Sequence, residues 1–315
     1  MKKIIWIPLV VGGLLFVGGA TLVACNIPKA APIETPYDFA GKEINTISMD
    51  LSISDVSFKV GDSAKVVCKE SDKWQHTVTL NEESKALNIN FSMEKKWYNF
   101  ADMFQPKFAV EVYLPAGNYE SLNIKHSTGD VNVASGFTFT SFDIEGSTGD
   151  VEVKAEVSNK LHIKQSTGDV SLCDTKAAEL DIEVSTGKTN ISNVQVSGDV
   201  KLKSSTGKIN VNSLTCNNLT ASTSTGDIKM KNTLVSGTAD IKASTGDVTL
   251  EDFDATEVII KTSTGDVKAT FLTIKNVDVD TDTGKKYVDK ELDREAGGKC
   301  TVKTDTGDIE LFLKR

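Results

Sequence analysis

An acidic side chain follows the glycine of a recurring turn, and carboxylates at a fixed spacing are residues that can bind cations. They stand at Asp130, Asp150, Asp169, Asp227, Asp247, Asp266 and Asp308. Calcium takes about six to eight oxygen ligands, so stacked carboxylates are candidate ligands. Lysine occupies the same place at Lys188, Lys208 and Lys285, where a dedicated metal ladder would exclude it. The pattern predicts turn-capping aspartates and no metal site.

Other side chains that could do chemistry are few and scattered. Arginine occurs only at Arg294 and Arg315, and His76, His126 and His162 occupy unrelated positions in the sequence. No phosphate-binding loop, nucleophile elbow or metalloprotease helix motif is present. We therefore expect no catalysis and no cofactor.

The carboxylates belong to a recurring tetrapeptide, which is Ser-Thr-Gly-Asp in its commonest form. A repeated structural element must position this tetrapeptide. Its glycines recur every 19 or 20 residues from Gly129 to Gly284, and a step of 23 leads to Gly307. A fixed period of this length is typical of stacked supersecondary units. Glycine in all ten turns indicates a positive φ, which a residue without a Cβ adopts freely.

Between turns the apolar residues alternate, as at Val151 and Val153 and then at Leu161 and Ile163. Alternation with period two predicts strands with one buried face. The sequence therefore predicts an all-β, right- or left-handed parallel β-solenoid of about ten 19–20-residue coils. Residues 126–315 form this repeat domain.

Residues 41–125 lack the repeat and are expected to form an N-terminal β cap module continuous with the rod, with Ser54 and Asp55 as a worn copy of the turn. Repeat arrays need atypical ends. One aromatic-rich stretch within the module carries Trp97, Tyr98, Phe100 and Phe104. These rings either plug the end of the solenoid or, if exposed, contact a partner.

The first 25 residues are expected to be a signal or anchor segment. Lys2 and Lys3 precede an apolar run that ends at Cys25, a pattern typical of export. The last four residues resemble a bacterial lipobox, in which Cys25 would carry the lipid. The run is also long enough to span a bilayer uncleaved. Both alternatives place the chain on the outer face of the cytoplasmic membrane, joined by a Pro-containing tether over residues 26–40.

Two further expectations concern the C-terminal end and the cysteines. Residues 285–299 interrupt the repeat and are interpreted as a loop insertion. Residues 309–313 then form a last strand, whose edge Lys314 and Arg315 blunt.

The cysteines after residue 25 have no metal-binding spacing; they are Cys68, Cys173, Cys216 and Cys300. We expect them to be small buried side chains, with Cys216 and Cys300 facing inward.

Without residues 1–25, which contain two lysines and no acids, 33 basic and 44 acidic residues remain, a net charge of −11. This charge argues against nucleic acid as a partner.

The ten turns, the segment from Val110 to Gly117 and the anchored N-terminus resemble the bacterial putative-adhesin β-solenoid family, a domain of unknown function frequent in Firmicutes. The resemblance implies a non-catalytic surface protein that binds cell-wall glycan or a surface protein. The alternative is a regulatory component of a cell-envelope stress response.

Overall fold

The computed structural model describes residues 32–71, 74–91 and 108–315, and all regular structure in these ranges is β-strand. The N-terminal strands are β1 Ile33–Asp38, β2 Thr46–Ile53, β3 Asp55–Val60, β4 Lys65–Glu70, β5 Thr77–Asn81, β6 Ala86–Phe91 and β7 Ala109–Leu114. The rod contains β8 Gly117–Thr128, β9 Val131–Val133, β10 Phe137–Thr148, β11 Val151–Val153, β12 Glu156–Thr167, β13 Val170–Cys173, β14 Lys176–Thr186, β15 Thr189–Val196, β16 Asp199–Thr206, β17 Ile209–Cys216, β18 Asn218–Thr225, β19 Ile228–Thr245, β20 Val248–Thr264 and β21 Val267–Phe271. The last strands are β22 Lys275–Thr283, β23 Lys286–Val288, β24 Gly298–Thr306 and β25 Ile309–Leu313.

Parallel pairing between equivalent strands of successive coils builds the rod. Val151 of β11 lies opposite Val131 of β9 on one side and Val170 of β13 on the other. Each coil contributes three strand segments. In the coil that starts at Thr189, residues 189–192 of β15 form the first segment, residues 194–196 of β15 form the second, and β16 forms the third. This arrangement confirms the predicted all-β solenoid of about ten coils.

The core is a set of apolar columns inside the coils. Val151, Val153, Leu161 and Ile163 are all buried, as their alternation predicts. A buried aliphatic side chain contributes about 1.5–3 kcal/mol by leaving water. One coil alone leaves these side chains open on two sides, so neighbouring coils supply most of the burial. We call each coil a level and name it by its turn glycine.

The turn glycines are required by two separate constraints. Gly207 has φ +153°, a conformation that L side chains rarely adopt. A Cβ on Gly207 would also lie against the carbonyl group of Gly187, 2.7 Å from its carbon. The Gly207 N–H donates to the carbonyl of Thr225 in the next level at 2.8 Å. The levels can therefore stack at strand spacing only where no side chain stands between the turns.

A second corner lies six residues after the turn glycine in five successive coils and takes a left-handed conformation without glycine. Its residues have φ between 50° and 64°: Asp174, Asn193, Ser213, Asn232 and Asp252. Asn and Asp tolerate this region because their short side chains bond locally. This column was not predicted from the sequence, although its residue types were a readable signal.

At the N-terminal end, the order of levels in space differs from the order in the chain. β2 pairs with both β6 and β8, and β3 pairs with both β7 and β9. The level that contains Ser54 and Asp55 is therefore inside the stack, which confirms the worn turn. The antiparallel neighbours β1, β4 and β5 add strands beside this end.

The C-terminal end shows the same exchange. β24 pairs with both β20 and β22, and β25 pairs with both β21 and β23. The Gly307 level thus lies between the Gly265 and Gly284 levels. The prediction that β25 is an edge strand blunted by Lys314 and Arg315 is wrong, because the connection after β23 carries the chain back by one level. Within that connection, Leu292 is fully buried.

A buried lysine marks this junction. The side chain of Lys275 is 1% exposed, and its ammonium group contacts the carboxylate of Asp254. It also donates to the Ala255 carbonyl at 2.7 Å and to the Thr273 hydroxyl at 3.1 Å. A buried charge is tolerated only when it is paired and hydrogen-bonded in this way. Lys275 begins β22 at the outermost level, whereas Asp254 and Ala255 lie on β20, further inside the rod. These bonds therefore connect the outermost level to the rod past the Gly307 level.

We predict that three Gly→Ala substitutions separate the two constraints on the turn. Gly117→Ala should change the free energy of unfolding by less than about 0.5 kcal/mol, because its Cβ meets open space. Gly41→Ala should cost about 1–2 kcal/mol, since its φ is +76° in open space. Gly207→Ala, which meets both constraints, should cost more than about 3 kcal/mol. Thermal and urea unfolding measure all three, and equal losses for Gly207→Ala and Gly41→Ala would contradict the stacking constraint.

Candidate functional site

The carboxylates that follow the turn glycines join one level to the next. The Oδ1 atom of Asp130 accepts the backbone N–H of Asp150 at 2.9 Å, and that of Asp150 accepts the N–H of Asp169 at 2.8 Å. The same bond recurs from Asp266 to the N–H of Asp308 and from Asp308 to that of Lys285, in the spatial order of the levels. These carboxylates cap backbone donors, as the sequence analysis predicts, across levels rather than within one turn.

This bond occupies one lone pair of Oδ1 in each carboxylate. Lys188 and Lys208 interrupt the column, and Lys285 stands at its end. Lys208 forms an ion pair of 2.9 Å with Asp227. The hydrogen bond from Lys208 lowers the pKa of the Asp227 carboxyl below its usual value. The column is therefore a set of hydrogen-bond acceptors with local charge relief, and its geometry does not favour calcium, which needs several oxygens at one point.

The hydroxyl groups before each glycine form a second column on the outside, which we call the hydroxyl edge. It consists of the Ser or Asp and the Thr of the ten turns, and all of these residues are exposed. The members are Ser127, Thr128, Ser147, Thr148, Ser166, Thr167, Ser185, Thr186, Ser205, Thr206, Ser224, Thr225, Ser244, Thr245, Ser263, Thr264, Asp282, Thr283, Asp305 and Thr306. Within the described parts of the chain, none of their side chains makes a hydrogen bond or an ion pair.

Side chains inside the rod stabilise the turn instead. The hydroxyls of Thr223, Thr262 and Thr304 point inward and donate to the carbonyls of Gly207, Gly246 and Gly265, at 3.3–3.4 Å. Gln165 makes the equivalent bond to the Gly149 carbonyl at 2.6 Å. The turn is thus held from inside by this column and from outside by the carboxylates, and it does not use the hydroxyl edge.

A separate polar cluster lies buried in the N-terminal part. Cys68 and Glu70 are two residues apart on β4 and face the same side, and both are at most 2% exposed. His76 Nδ1 lies 3.1 Å from Glu70 Oε2, and His76 Nε2 lies 2.9 Å from the hydroxyl of Ser54. The backbone N–H of His76 also donates to Glu70 Oε2, at 2.7 Å. We call these four residues the cap cluster.

Aromatic rings and burial isolate the cap cluster from water. The His76 ring stacks on Phe91 with centroids 4.5 Å apart and meets Phe108 edge-on at 6.5 Å. Burial lowers the pKa of the His76 imidazole, against an opposing effect of Glu70. Burial raises the pKa of the Cys68 thiol to about 12. Both groups are therefore held in their neutral forms by the apolar surroundings.

The family profile that matches the chain is described as Toastrack DUF4097, and it covers residues 44–311. The chain belongs to the Toastrack DUF4097 family. This bears out the resemblance to the adhesin-like β-solenoid family.

Two solved structures similar to this Toastrack chain are each 17% identical to it. One is named a putative lipid binding protein from Parabacteroides distasonis, with a TM-score of 0.51, covering 76% of this chain and 97% of its own. The other is named a putative adhesin from Bacteroides fragilis, with a TM-score of 0.43, covering 90% of this chain and 98% of its own. No curated protein matches the chain.

Several predicted site residues of this Toastrack chain lie outside the described residues. These are the lipid-attachment candidate Cys25 and the aromatic candidates Trp97, Tyr98, Phe100 and Phe104. Across residues 32–71, 74–91 and 108–315, no helix has the length and apolar character needed to cross a membrane. The anchor therefore stays a prediction. The predicted tether over residues 26–40 is wrong for its second half, because Ile33–Asp38 form β1 and pair with β4.

The structure shows which cysteines and histidines are buried and what they contact, which their spacing in the sequence does not. Cys68, Cys216 and Cys300 are buried as predicted, whereas Cys173 is only partly buried, and the four cysteines of the described ranges are free thiols. His126 is buried and His162 lies on an outer face 3.7 Å from Asp181, whereas His76 joins the cap cluster. Sequence spacing does not link Ser54, Glu70 and His76, because the contact depends on how β4 folds back beside β7.

We predict that the carboxylate of Asp150 stabilises the rod through one acceptor oxygen. Asp150→Ala should lower the free energy of unfolding by about 1 kcal/mol, because the N–H of Asp169 loses its partner. Asp150→Asn keeps an oxygen at this place and should lose less than half as much. Thermal unfolding with and without calcium measures both effects. A calcium-dependent rise in melting temperature that Asp150→Asn abolishes would contradict the capping role.

Proposed function

We propose that the chain is an extracytoplasmic, membrane-anchored β-solenoid that binds a cell-wall glycan in the manner of an adhesin, without catalysis. The proposal rests on the family and on the surface chemistry of the rod. A rigid stack presents the same groups at every level, at about the 4.8 Å spacing of paired strands. A repeated surface of this kind suits a repeated ligand.

The hydroxyl edge is the observation that carries the proposal. Every turn keeps an exposed threonine, preceded by serine or aspartate, although the described residues offer these side chains no hydrogen-bond partner. The bonds that hold the turn come from the inward threonines, the carboxylates and the backbone. The hydroxyls are therefore available to an external ligand.

A polysaccharide fits the chemistry of this edge. Each hydroxyl offers one donor and two acceptor lone pairs, and sugar hydroxyls and acetamido groups offer the same in return. The net charge of −11 after residue 25 supports a neutral polymer over nucleic acid or a bare anionic lipid surface. A similar solved protein carries the name putative lipid binding protein, but that likeness extends to the fold alone.

Anchoring at the N-terminus places the rod where such a ligand occurs. The apolar run before Cys25 either carries a lipid on Cys25 or spans the membrane uncleaved. The residues between Cys25 and β1 then link the membrane surface to the folded part of the chain. With this arrangement the rod presents the hydroxyl edge to the cell wall.

The burial of the cap cluster supports a role without catalysis. Ser54, His76 and Glu70 have the spacing of a nucleophile, a base and an orienting acid. Ser54 is only 1% exposed, and its hydroxyl contacts the carbonyl of Ile53. A substrate carbonyl needs access to the nucleophile, which this burial denies.

A sedimentation assay with purified peptidoglycan sacculi tests the proposal. Three hydroxyls of adjacent levels are removed together in the variant Ser185→Ala/Ser205→Ala/Ser224→Ala. The matched control, Ser197→Ala/Thr215→Ala/Thr220→Ala, removes three exposed hydroxyls from other parts of the same coils. We expect the edge variant to bind at least about tenfold more weakly, since three lost hydrogen bonds of about 0.5–1.5 kcal/mol each sum to about 1.5 kcal/mol or more.

The control variant should bind within about twofold of the unmodified chain, because its hydroxyls lie away from the edge, and unchanged melting temperatures would show that all three proteins fold alike. Equal binding by the edge and control variants would refute the hydroxyl edge as the contact surface. Failure of the unmodified chain to sediment with sacculi would refute the glycan as ligand.

A further inference from the structure

Three buried side chains of the cap cluster carry donor atoms that transition metals prefer. The Cys68 sulfur, a Glu70 carboxylate oxygen and a His76 ring nitrogen all lie within 4.8 Å of one another. Donor atoms around a tetrahedral zinc ion lie roughly 3.3–3.8 Å apart, as its bond lengths dictate. Small rotations of the side chains therefore bring the three groups to ligating distance.

The local structure holds these donors in place before any ion binds. β4 pairs with β1 on one side and β7 on the other, so Cys68 and Glu70 are fixed on the inner face of a central strand. The backbone N–H of His76 is bonded to Glu70, and its ring is packed on Phe91. Such preorganisation lowers the cost of assembling a site.

Two hydrogen bonds join the three polar side chains of the cap cluster. His76 Nε2 lies 2.9 Å from the Ser54 hydroxyl, and His76 Nδ1 lies 3.1 Å from Glu70 Oε2. A serine hydroxyl and a neutral imidazole supply one proton to each contact. The cluster is therefore satisfied without added charge, and a metal ion would replace the proton between His76 and Glu70.

A metal ion at His76 Nδ1 requires the tautomer that carries its proton on Nε2. The Ser54 oxygen then accepts this proton, and the Ser54 hydroxyl donates to the Ile53 carbonyl. The lone pair of Nδ1 then points at the Glu70 carboxylate, close to the Cys68 sulfur. Lone pairs of nitrogen, oxygen and sulfur that converge at one point form a metal-ligand set.

We propose that the cap cluster binds a divalent transition metal of the zinc class through Cys68, Glu70 and His76. One thiolate, one imidazole and one carboxylate make a mixed set that suits zinc better than calcium or magnesium, which take oxygen ligands. Metal binding displaces the proton of the Cys68 thiol to solvent. Ser54 does not ligate the metal but accepts the Nε2 proton and orients the ring, as partners of metal-bound histidines generally do.

The site gives the metal a structural role in the cap. Cys68 and Glu70 belong to β4, His76 directly precedes β5, and Ser54 lies between β2 and β3 in the stacked level beneath. A bound ion would fasten the residue before β5 to β4, and the hydrogen bond between His76 and Ser54 would link the site to the first level of the rod. Binding energy at such a site adds directly to the stability of the folded state.

Zinc and cobalt titrations of the full chain test the proposal. After treatment with a chelator, micromolar zinc should raise the melting temperature by about 3 °C or more. Cobalt, which takes the same ligands, should give the absorption band of a thiolate-to-metal charge transfer. Cys68→Ala should lose both responses. Its fold is expected to survive, because the Cys68 thiol makes no hydrogen bond in the described structure.

Matched variants separate metal binding at the cap cluster from the general effect of removing a thiol. Cys173→Ala removes a free thiol outside the cluster and should keep both responses. Ser54→Ala removes only the partner of His76 and should weaken metal binding about 10–100-fold. The proposal is overturned if zinc leaves the melting temperature of the unmodified chain unchanged. It is also overturned if Cys68→Ala responds as that chain does, since the metal then binds without the Cys68 thiolate.

Discussion

The close approach of stacked turns is the constraint on which the rest of this structure depends. The glycine of one level lies directly against the carbonyl of the glycine below, and Gly207 on Gly187 shows that no Cβ fits between them. Turns stacked in this way place every following residue at the same position in its level. The apolar columns, the carboxylates that cap the next N–H, the inward threonines and the exposed hydroxyls all follow from this alignment. A binding surface with one repeated chemistry is therefore a consequence of the turn.

A stack of levels has two ends, and near both of them the order of levels in space differs from the order in the chain. Near the N-terminus, the level of β2 and β3 lies between levels that later strands form. Near the C-terminus, the Gly307 level lies between the Gly265 and Gly284 levels. The strands at the C-terminal edge are β22 and β23, each of which pairs with a single strand of the described chain. The outward residues of β22 include Asp278, Asp280 and Asp282. Charged residues on an edge strand oppose pairing with another chain. At the other end the cap cluster is buried at β4, between β1 and β7, where metal binding would fasten β4 to the residue before β5.

The sequence predicted the features that depend on local period and residue type. Alternation at Val151 and Val153 gave the buried face of the strands, and the repeated glycine gave the turn, because both signals act within one coil. The exchange of levels was not predictable in the same way, since Gly284 and Gly307 have equivalent turns and either can stack on Gly265. The cap cluster was also missed, because Ser54, Glu70 and His76 meet only through antiparallel pairing of β4. The left-handed corner at Asp174 and Asn193 could have been found from its Asp and Asn column.

Amide hydrogen exchange at the turn glycines is the measurement that tests the stacking of the levels most directly. In the stack, the Gly265 N–H donates to the Thr306 carbonyl and the Gly307 N–H to the Thr283 carbonyl, both at 2.9 Å, whereas the described residues give the Gly284 N–H no acceptor. Hydrogen-bonded amides inside a stable stack exchange slowly, and unbonded ones exchange fast. We predict slow exchange at Gly207 and Gly307 and fast exchange at Gly284. Slow exchange at Gly284 with fast exchange at Gly307 would mean that the levels follow the chain order, and fast exchange at Gly207 would contradict the stacking of the turns.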